Sequence, residues 1–451
     1  MTPAPGETFP STVRATNGEL ARRILALAAP TTVLSALQVV ALLLETWIAA
    51  RLGRAALAGW AVVLPFALLL GQMSAGAMGG GVVSAIARAL GARRPDEAAA
   101  LALHALLIAL GFAAMFVVLL AGFPWALLTL IGGADAAAAG APYALVLFGL
   151  GAVPVWMANT LGSILRGAGR HALAARVLNV AWLAYPVLAF VMAEALGMGL
   201  VGLGLAFASC FWVAAAVMAR VVFSGAAGFT PDLRVILRQE LFQRILAVGA
   251  IACTLAVIAN LATILVTARL ADYGSAVVAA YGVSARLEFM MIPLAFGVGS
   301  ALTALVGRAV GQGDWETARR TAWVGAAMAL GVCSAVGITV ATFPMFFATM
   351  FASDAEVAAI AAQALRFIGP AFGGFGLGMA MYFAAMGAGR MSYPIAAGLT
   401  RLTIAVGGGW LLADVLGFGM EGQFLAVALG VTAFGVLTAA AVRPGVWGPR
   451  S

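Results

Sequence analysis

The chain repeats its own pattern 220 positions later. The second half carries, at 386–390, the segment MGAGR, which matches RGAGR at 166–170. Gly91, which opens a charged turn, recurs as Gly311, and the Ile-Leu-Ala segment at 24–26 recurs one further position along, at 245–247. An offset that holds over so long a stretch indicates a duplicated structural unit. In an apolar chain, two such units predict two membrane bundles with a site between them.

Charged residues are too few to cover a water-facing surface. They make up 9% of the 451 residues, and 64% of the chain is hydrophobic, whereas a soluble domain is about 25% charged. We therefore predict a multi-pass membrane protein. The formal net charge is +8, and all 25 basic residues are arginines. These arginines are spread over short turns rather than gathered on one face, which excludes nucleic-acid binding.

Cysteine and histidine usage argues against metal and cofactor chemistry. The cysteines Cys210, Cys253 and Cys333 lie in separate apolar runs, too scattered for a disulfide framework or a metal site. The two histidines, His104 and His171, cannot form a cluster of ligands. The chain also has no GxSxG elbow and no GxxxxGK[ST] phosphate loop. We expect no metal, no cofactor, no enzymatic activity and no nucleotide-driven pump.

Splitting the apolar runs at charged or Gly/Pro-rich turns predicts an all-α integral membrane protein with twelve transmembrane helices. The predicted spans are 24–50, 55–90, 98–123, 139–164, 171–195, 199–223, 241–269, 276–309, 319–350, 358–385, 391–414 and 421–442. The corresponding units are a tail (1–23), a first lobe (24–223, helices 1–6), a linker (224–240), a second lobe (241–442, helices 7–12) and a second tail (443–451). Six crossings return the chain to its starting side, so the two lobes share one orientation.

Arginines set the predicted orientation. They recur in or beside the turns on one side of the predicted bundle, such as Arg93 and Arg94 after helix 2, and Arg390 and Arg401 flank the turn between helices 10 and 11. The opposite turns are mostly acidic. Because cytoplasmic loops are basic, we predict that both termini are cytoplasmic. We expect a monomer in the plasma membrane, the inner membrane of a bacterium.

Several segments resemble the multidrug and toxic compound extrusion (MATE) family of the MOP flippase superfamily. Residues 28–30, 45–46 and 51–53 are similar to the family's first helix, and 91–94 and 311–313 resemble its 2–3 and 8–9 turns. The two repeated GAGR segments resemble its signatures after helices 4 and 10. The resemblance covers almost the whole chain. It implies two six-helix bundles in a V, and a secondary antiporter that exports organic, often cationic, drugs or metabolites in exchange for H+ or Na+ by alternating access.

Glu45 is the first candidate for cation coupling. A charge at the centre of a span costs about 2.5–3.5 kcal/mol on insertion scales, so carboxylates inside a membrane are seldom incidental. The repeat places apolar Leu265 or Val266 at the corresponding position, so the shared fold does not explain Glu45. The resemblance links an acid in the first helix to cation coupling. The alternative is a solvated carboxylate near the outer water interface.

Two further residues are coupling candidates. Asn179 resembles the family's fifth-helix asparagine, although the aspartate that one branch has a turn later is Leu183 here. Glu288 lies near the predicted outer start of helix 8, as a second coupling carboxylate or as half of a structural ion pair. The carboxylates in helices 7 and 10 that the family links to sodium binding are missing. This absence favours H+ over Na+ as the coupling ion.

Polar and adaptable side chains within the spans are predicted to line a substrate cavity. They are Gln38, Gln72, Asn260, Tyr281 and Met290. Gln38 lies seven residues before Glu45 and shares its helix face. The alternatives are packing hydrogen bonds for the amides and core filling or interfacial anchoring for the others. The expected partners are a small organic substrate, H+ or Na+, and membrane lipid. The alternative function is a lipid-linked precursor flippase, which would have a more cationic cavity.

Overall fold

The computed structural model describes residues 16–231, 236–352 and 354–449, and these residues form helices joined by short turns, without a strand. Residues 1–15 of the predicted first tail, 232–235 of the predicted linker, 353, and 450–451 of the second tail lie outside this description.

Twelve helices follow the predicted order within the described ranges. The first lobe contains α1 (Asn17–Arg51), α2 (Arg54–Gly91), α3 (Pro95–Ala121), α4 (Gly133–Gly167), α5 (His171–Ala195) and α6 (Gly199–Ala226). The second contains α7 (Gln239–Tyr273), α8 (Ser275–Met290 and Ile292–Gly311), α9 (Trp315–Thr342), α10 (Ala355–Ala388), α11 (Ser392–Val415) and α12 (Gly419–Ala440). Eleven are long and apolar enough to cross a membrane, and α8 contributes the shorter apolar stretch Ala295–Gly311. The predicted all-helical fold is confirmed.

The first helix starts earlier than its apolar run. The Thr16 hydroxyl accepts from the backbone N–H of Glu19, and the Glu19 carboxylate accepts from the backbone N–H of Thr16 at 2.8 Å. This capping box satisfies two N–H groups that a helix start leaves without partners. The helix therefore begins at Asn17, whereas hydrophobicity alone predicted 24.

Two short helices occupy matching places in the repeat. One spans residues 124–132 and ends at Gly133, the first residue of α4, whose φ of 79° interrupts the helix. The other, Pro344–Phe351, begins 220 positions after Pro124 and follows the end of α9 at Thr342. Proline at a first helical position favours a new start, because its missing N–H is not needed there. The predicted ninth span, 319–350, thus merged a crossing helix with a separate short one.

The two lobes meet where α2 and α8 cross. A Cβ atom on Gly91 would lie 2.2 Å from the carbonyl oxygen of Arg308, and one on Gly311 would lie 2.2 Å from that of Arg88. We name this pair of contacts the glycine crossing. Only glycine lets the two backbones approach so closely. The crossing lies beside the turns that carry Arg93 and Arg94 or follow Gly311, on what we name the arginine-rich side.

The lobes separate away from this side. Further along α2, the Ser84 hydroxyl donates to the carbonyl oxygen of Met386 in α10 at 2.6 Å. The opposite half of α2 packs within its own lobe, where a Cβ on Gly59 would lie 2.6 Å from the backbone nitrogen of Gly140. The two bundles thus form a V that is joined on the arginine-rich side.

Candidate functional site: a caged carboxyl in the first lobe

The carboxyl of Glu45 is surrounded by aromatic hydrogen-bond donors. The indole Nε1–H of Trp60 in α2 donates to Glu45 Oε1 at 2.9 Å. The hydroxyl of Tyr143 in α4 donates to the same oxygen at 2.8 Å. The hydroxyl of Tyr185 in α5 is a third hydrogen-bonding neighbour of this carboxyl. We name Trp60, Tyr143 and Tyr185 the aromatic cage.

The aromatic cage is buried and supplies no positive charge. Trp60, Tyr143 and Tyr185 are 5%, 2% and 1% exposed. Glu45 forms no salt bridge with any described residue. The arginine six positions further along α1, Arg51, binds Glu194 instead, with 2.8 and 3.0 Å between their paired atoms. Hydrogen bonds alone therefore hold the Glu45 carboxyl, an arrangement unlike that of a freely solvated surface acid.

Two predicted residues, Gln38 and Asn179, lie at similar heights along α1 and α5, nearer to the arginine-rich side than the aromatic cage. Helices α1 and α5 run side by side and meet at one end through Thr31 Oγ1 and His171 Nδ1, 3.4 Å apart, and at the other through Arg51. Gln38 is seven residues after Thr31, and Asn179 is eight after His171. The side-chain oxygen of Asn179 is buried without a hydrogen-bond partner. A buried acceptor in this state is suited to a transient partner such as water.

Glu288 lies deeper than the sequence suggested. It is thirteen residues after the start of α8, about 20 Å along the helix, rather than near the outer start. Arg401 lies nine residues after the start of α11 at Ser392 rather than directly beside the turn between α10 and α11. The Arg401 guanidinium donates to Glu288 Oε1 at 2.5 Å, and the two side chains are 16% and 17% exposed. Glu288 thus has a cationic partner inside the second lobe.

Breaking this pair is expected to destabilise the protein strongly. Glu288→Gln leaves the Arg401 charge buried alone, so we expect a loss of about 3–5 kcal/mol in unfolding free energy. Glu288→Gln combined with Arg401→Met should recover most of that loss. The matched control is Asp414→Asn, which removes a more exposed pair with Arg269 and should cost at most about 1 kcal/mol. Chemical unfolding of the purified protein measures all three, and equal small losses would contradict a structural pair.

The other predicted cavity residues are dispersed. Gln72 is exposed at the start of an irregular turn in α2, and Met290 is 51% exposed at the break in α8. The Asn260 amide donates to Ala256 O of its own helix at 2.8 Å. Tyr281 is 6% exposed, and lies on the same helix face as Glu288. The structure places Glu45 and Gln38 on α1 and Asn179 on the adjacent α5, whereas Asn260, Tyr281 and Met290 lie in the second lobe.

Sequence reasoning missed most partners of the two acids. Trp60, Tyr143, Tyr185 and Arg401 were not among the predicted site residues. A signal was present, since the chain has six tyrosines and a hydroxyl inside an apolar span needs a hydrogen-bond partner. That signal does not say which partner each tyrosine finds.

Comparison with known proteins identifies relatives along almost the whole chain. The MatE family profile matches residues 30–193 and 249–411, one stretch in each lobe. A protein of Deinococcus radiodurans described as probable multidrug resistance protein NorM is 30% identical, over 95% of this chain and 96% of that protein.

Solved structures share the fold. One is the outward-facing conformation of a multidrug resistance MATE family transporter of the MOP superfamily, with a TM-score of 0.87 at 22% identity over 96% of each chain. Another is a MOP superfamily transporter from Pyrococcus furiosus described as having a binding pocket of reverse polarity. It has a TM-score of 0.87 at 21% identity over 94% of this chain and 96% of that one.

Proposed function

Since this chain belongs to the MatE family of multidrug efflux transporters, we propose that it is a secondary antiporter that exports organic, often cationic, compounds in exchange for H+. The arginine-rich side then faces the cytoplasm together with both termini, by the rule that cytoplasmic loops are basic. The membrane is the plasma membrane, and the V opens to the outside when its arms are joined at the glycine crossing.

The observation that carries this proposal is a partly buried carboxyl that has hydrogen-bond donors but no salt bridge within the described part of the chain. Glu45 Oε1 accepts from both Trp60 and Tyr143. It can keep both hydrogen bonds when the other oxygen of the carboxyl takes up a proton. Protonation removes the cost of holding a negative charge inside the lobe. The aromatic cage can therefore hold the acid in either protonation state, as a proton carrier requires.

The chemistry of the aromatic cage favours a proton over a sodium ion. An indole N–H is a donor only, so Trp60 cannot be a ligand for a cation. Its hydrogen points at the oxygen that a bound sodium ion would contact. Within the described ranges of the chain, no three acids, cysteines or histidines form a group that could hold a metal ion. Alkali and alkaline-earth cations need several converging oxygen ligands, whereas a proton needs one.

Helix α1 connects the caged acid to the other lobe. A Cβ on Gly297 of α8 would lie 1.9 Å from Thr32 Oγ1 and 3.3 Å from the carbonyl oxygen of Ala28. The same helix carries Glu45 toward its opposite end. A shift of α1 on protonation would therefore act directly on the contact between lobes. Coupling follows if the two arrangements of the lobes differ in their affinity for the proton.

Transport by reconstituted vesicles tests the proposal. The protein is placed in vesicles with a fluorescent organic cation, and either a pH gradient or a Na+ gradient is imposed with the membrane voltage clamped. We expect release driven by the pH gradient and unaffected by Na+. Release driven by Na+ alone would reject proton coupling. No release under either gradient would reject the antiporter and favour the flippase alternative.

A further inference from the structure

A groove runs along the outside of the first lobe between α5 and α6. Its floor is made of small buried residues, Ala181, Cys210 and Ala214, which are 6%, 8% and 3% exposed. Its walls include Val180 and Val213, which are 67% and 65% exposed. The groove encloses about 470 Å³. Small residues on adjacent helices between larger neighbours leave a trough with an apolar lining.

The groove faces away from the other lobe. Helices α5 and α6 pack on each other and on α4, and α5 also packs on α1, whereas the second lobe meets the first through α1, α2, α3 and α4. The lining extends along α5 from Arg176 to Leu188. Twelve residues of helix span about 18 Å, slightly more than half of the roughly 30 Å hydrocarbon core of a bilayer. The trough therefore has the length of about one leaflet.

Exposed arginines gather at one end of the groove. Arg176, in the second turn of α5, is part of the lining, and Arg220 is one turn beyond the lining residue Val217 in α6. Arg170 immediately precedes α5. None of the three arginines forms a salt bridge within the described part of the chain. This end belongs to the arginine-rich side, so an apolar trough and an unneutralised basic mouth share one leaflet.

We propose that this groove is a binding site for an acidic phospholipid. One acyl chain lies in the trough between the valine walls, and the phosphate lies at Arg176 and Arg220. Basic residues at the cytoplasmic surface attract anionic lipids by about 1 kcal/mol each, and a zwitterionic headgroup weakens that attraction with its own amine. The second lobe lacks these arginines, because the positions that match Arg176 and Arg220 in the repeat hold Ala396 and Ala440.

Native mass spectrometry of the purified full-length protein tests the site. The probes are phosphatidylglycerol and phosphatidylcholine with identical acyl chains, titrated separately into the detergent-solubilised protein. We expect one phosphatidylglycerol to bind with a roughly fivefold preference, the equivalent of ~1 kcal/mol. Arg176→Gln should weaken the preference, Arg176→Gln combined with Arg220→Gln should abolish it, and Arg176→Lys should retain it. Ala184→Phe, at an exposed position in the lining, should weaken binding of both lipids by filling the trough.

The matched control is Arg22→Gln, which removes an exposed arginine near the start of α1. It should leave the lipid preference unchanged. An equal loss in Arg22→Gln and Arg176→Gln would overturn the proposal, because diffuse surface charge would then explain the preference. Undiminished binding in Ala184→Phe would also overturn it, since the trough would not hold the chain. Each variant is first required to elute as a single species, which separates lipid loss from misfolding.

Discussion

Glu45→Gln is expected to lower the rate of proton-driven efflux by about 100-fold. A factor of this size corresponds to a coupling free energy near the upper end of those found between two sites. Glutamine keeps the size of the side chain and an oxygen that accepts from Trp60 and Tyr143, but it cannot take up or release a proton at physiological pH. The aromatic cage should therefore survive while the exchange stops. Efflux of a fluorescent organic cation from vesicles under a pH gradient measures the rate.

Two controls isolate the role of the proton. Glu194→Gln removes an acid from the same end of the first lobe, where it pairs with a half-exposed Arg51, and should leave efflux within about twofold because such pairs contribute little. The melting temperature of Glu45→Gln should match that of the native protein to within a few degrees. Full proton-driven efflux by Glu45→Gln would move the coupling site elsewhere in the chain.

Leucine at Gly91 is expected to force the lobes apart on the arginine-rich side. A Cβ there would lie 2.2 Å from the carbonyl oxygen of Arg308, so the backbones at the glycine crossing must separate. Overpacking of this kind costs about 1–3 kcal/mol, enough to shift the balance between two arrangements of the lobes by about 5–150-fold. Gly311→Leu should act in the same way, because the contact is repeated there.

Thiol labelling measures this shift. Ser300 is 5% exposed, lies between the lobes, and its hydroxyl has no hydrogen-bond partner, so Ser300→Cys should be tolerated in a background without the three native cysteines. Gly91→Leu should increase the rate at which a membrane-impermeant reagent, added on the arginine-rich side, labels this cysteine. The control is Gly111→Leu, at an exposed glycine with open space around its Cβ position. Equal rates in Gly91→Leu and the native background would contradict a sealing role for the crossing.

Most of the fold could be predicted from the sequence because the bilayer leaves little choice. Apolar runs long enough to cross it must form helices that satisfy their own backbone hydrogen bonds. The repeat then indicated two lobes of like orientation. Helix ends were less predictable, since they depend on capping at Thr16 and on Pro344 rather than on hydrophobicity. The close approach at Gly91 and Gly311 was visible in the sequence only as two glycines at matching positions of the repeat.

The site was predictable only in part. Glu45 stood out because an isolated acid in an apolar helix is costly. Its partners did not, since Trp60, Tyr143 and Tyr185 come from three other helices and no short-range pattern connects them. Glu288 was placed near the start of helix 8, whereas it lies thirteen residues into α8. Its partner Arg401 was predicted to flank a turn, and sequence spacing gave no sign that it faces Glu288 from the next helix but two.

The aromatic cage exists in one lobe only. The positions 220 residues after Trp60, Tyr143 and Tyr185 hold Ala280, Gln363 and Ala405. Each cycle of the proposed transport therefore carries one proton, through a single carboxyl. Exchange of that proton for a monovalent cation moves no net charge, so voltage would neither drive nor oppose it. Export of an uncharged compound would move one charge, and the membrane potential would then add about 2.3 kcal/mol per 100 mV.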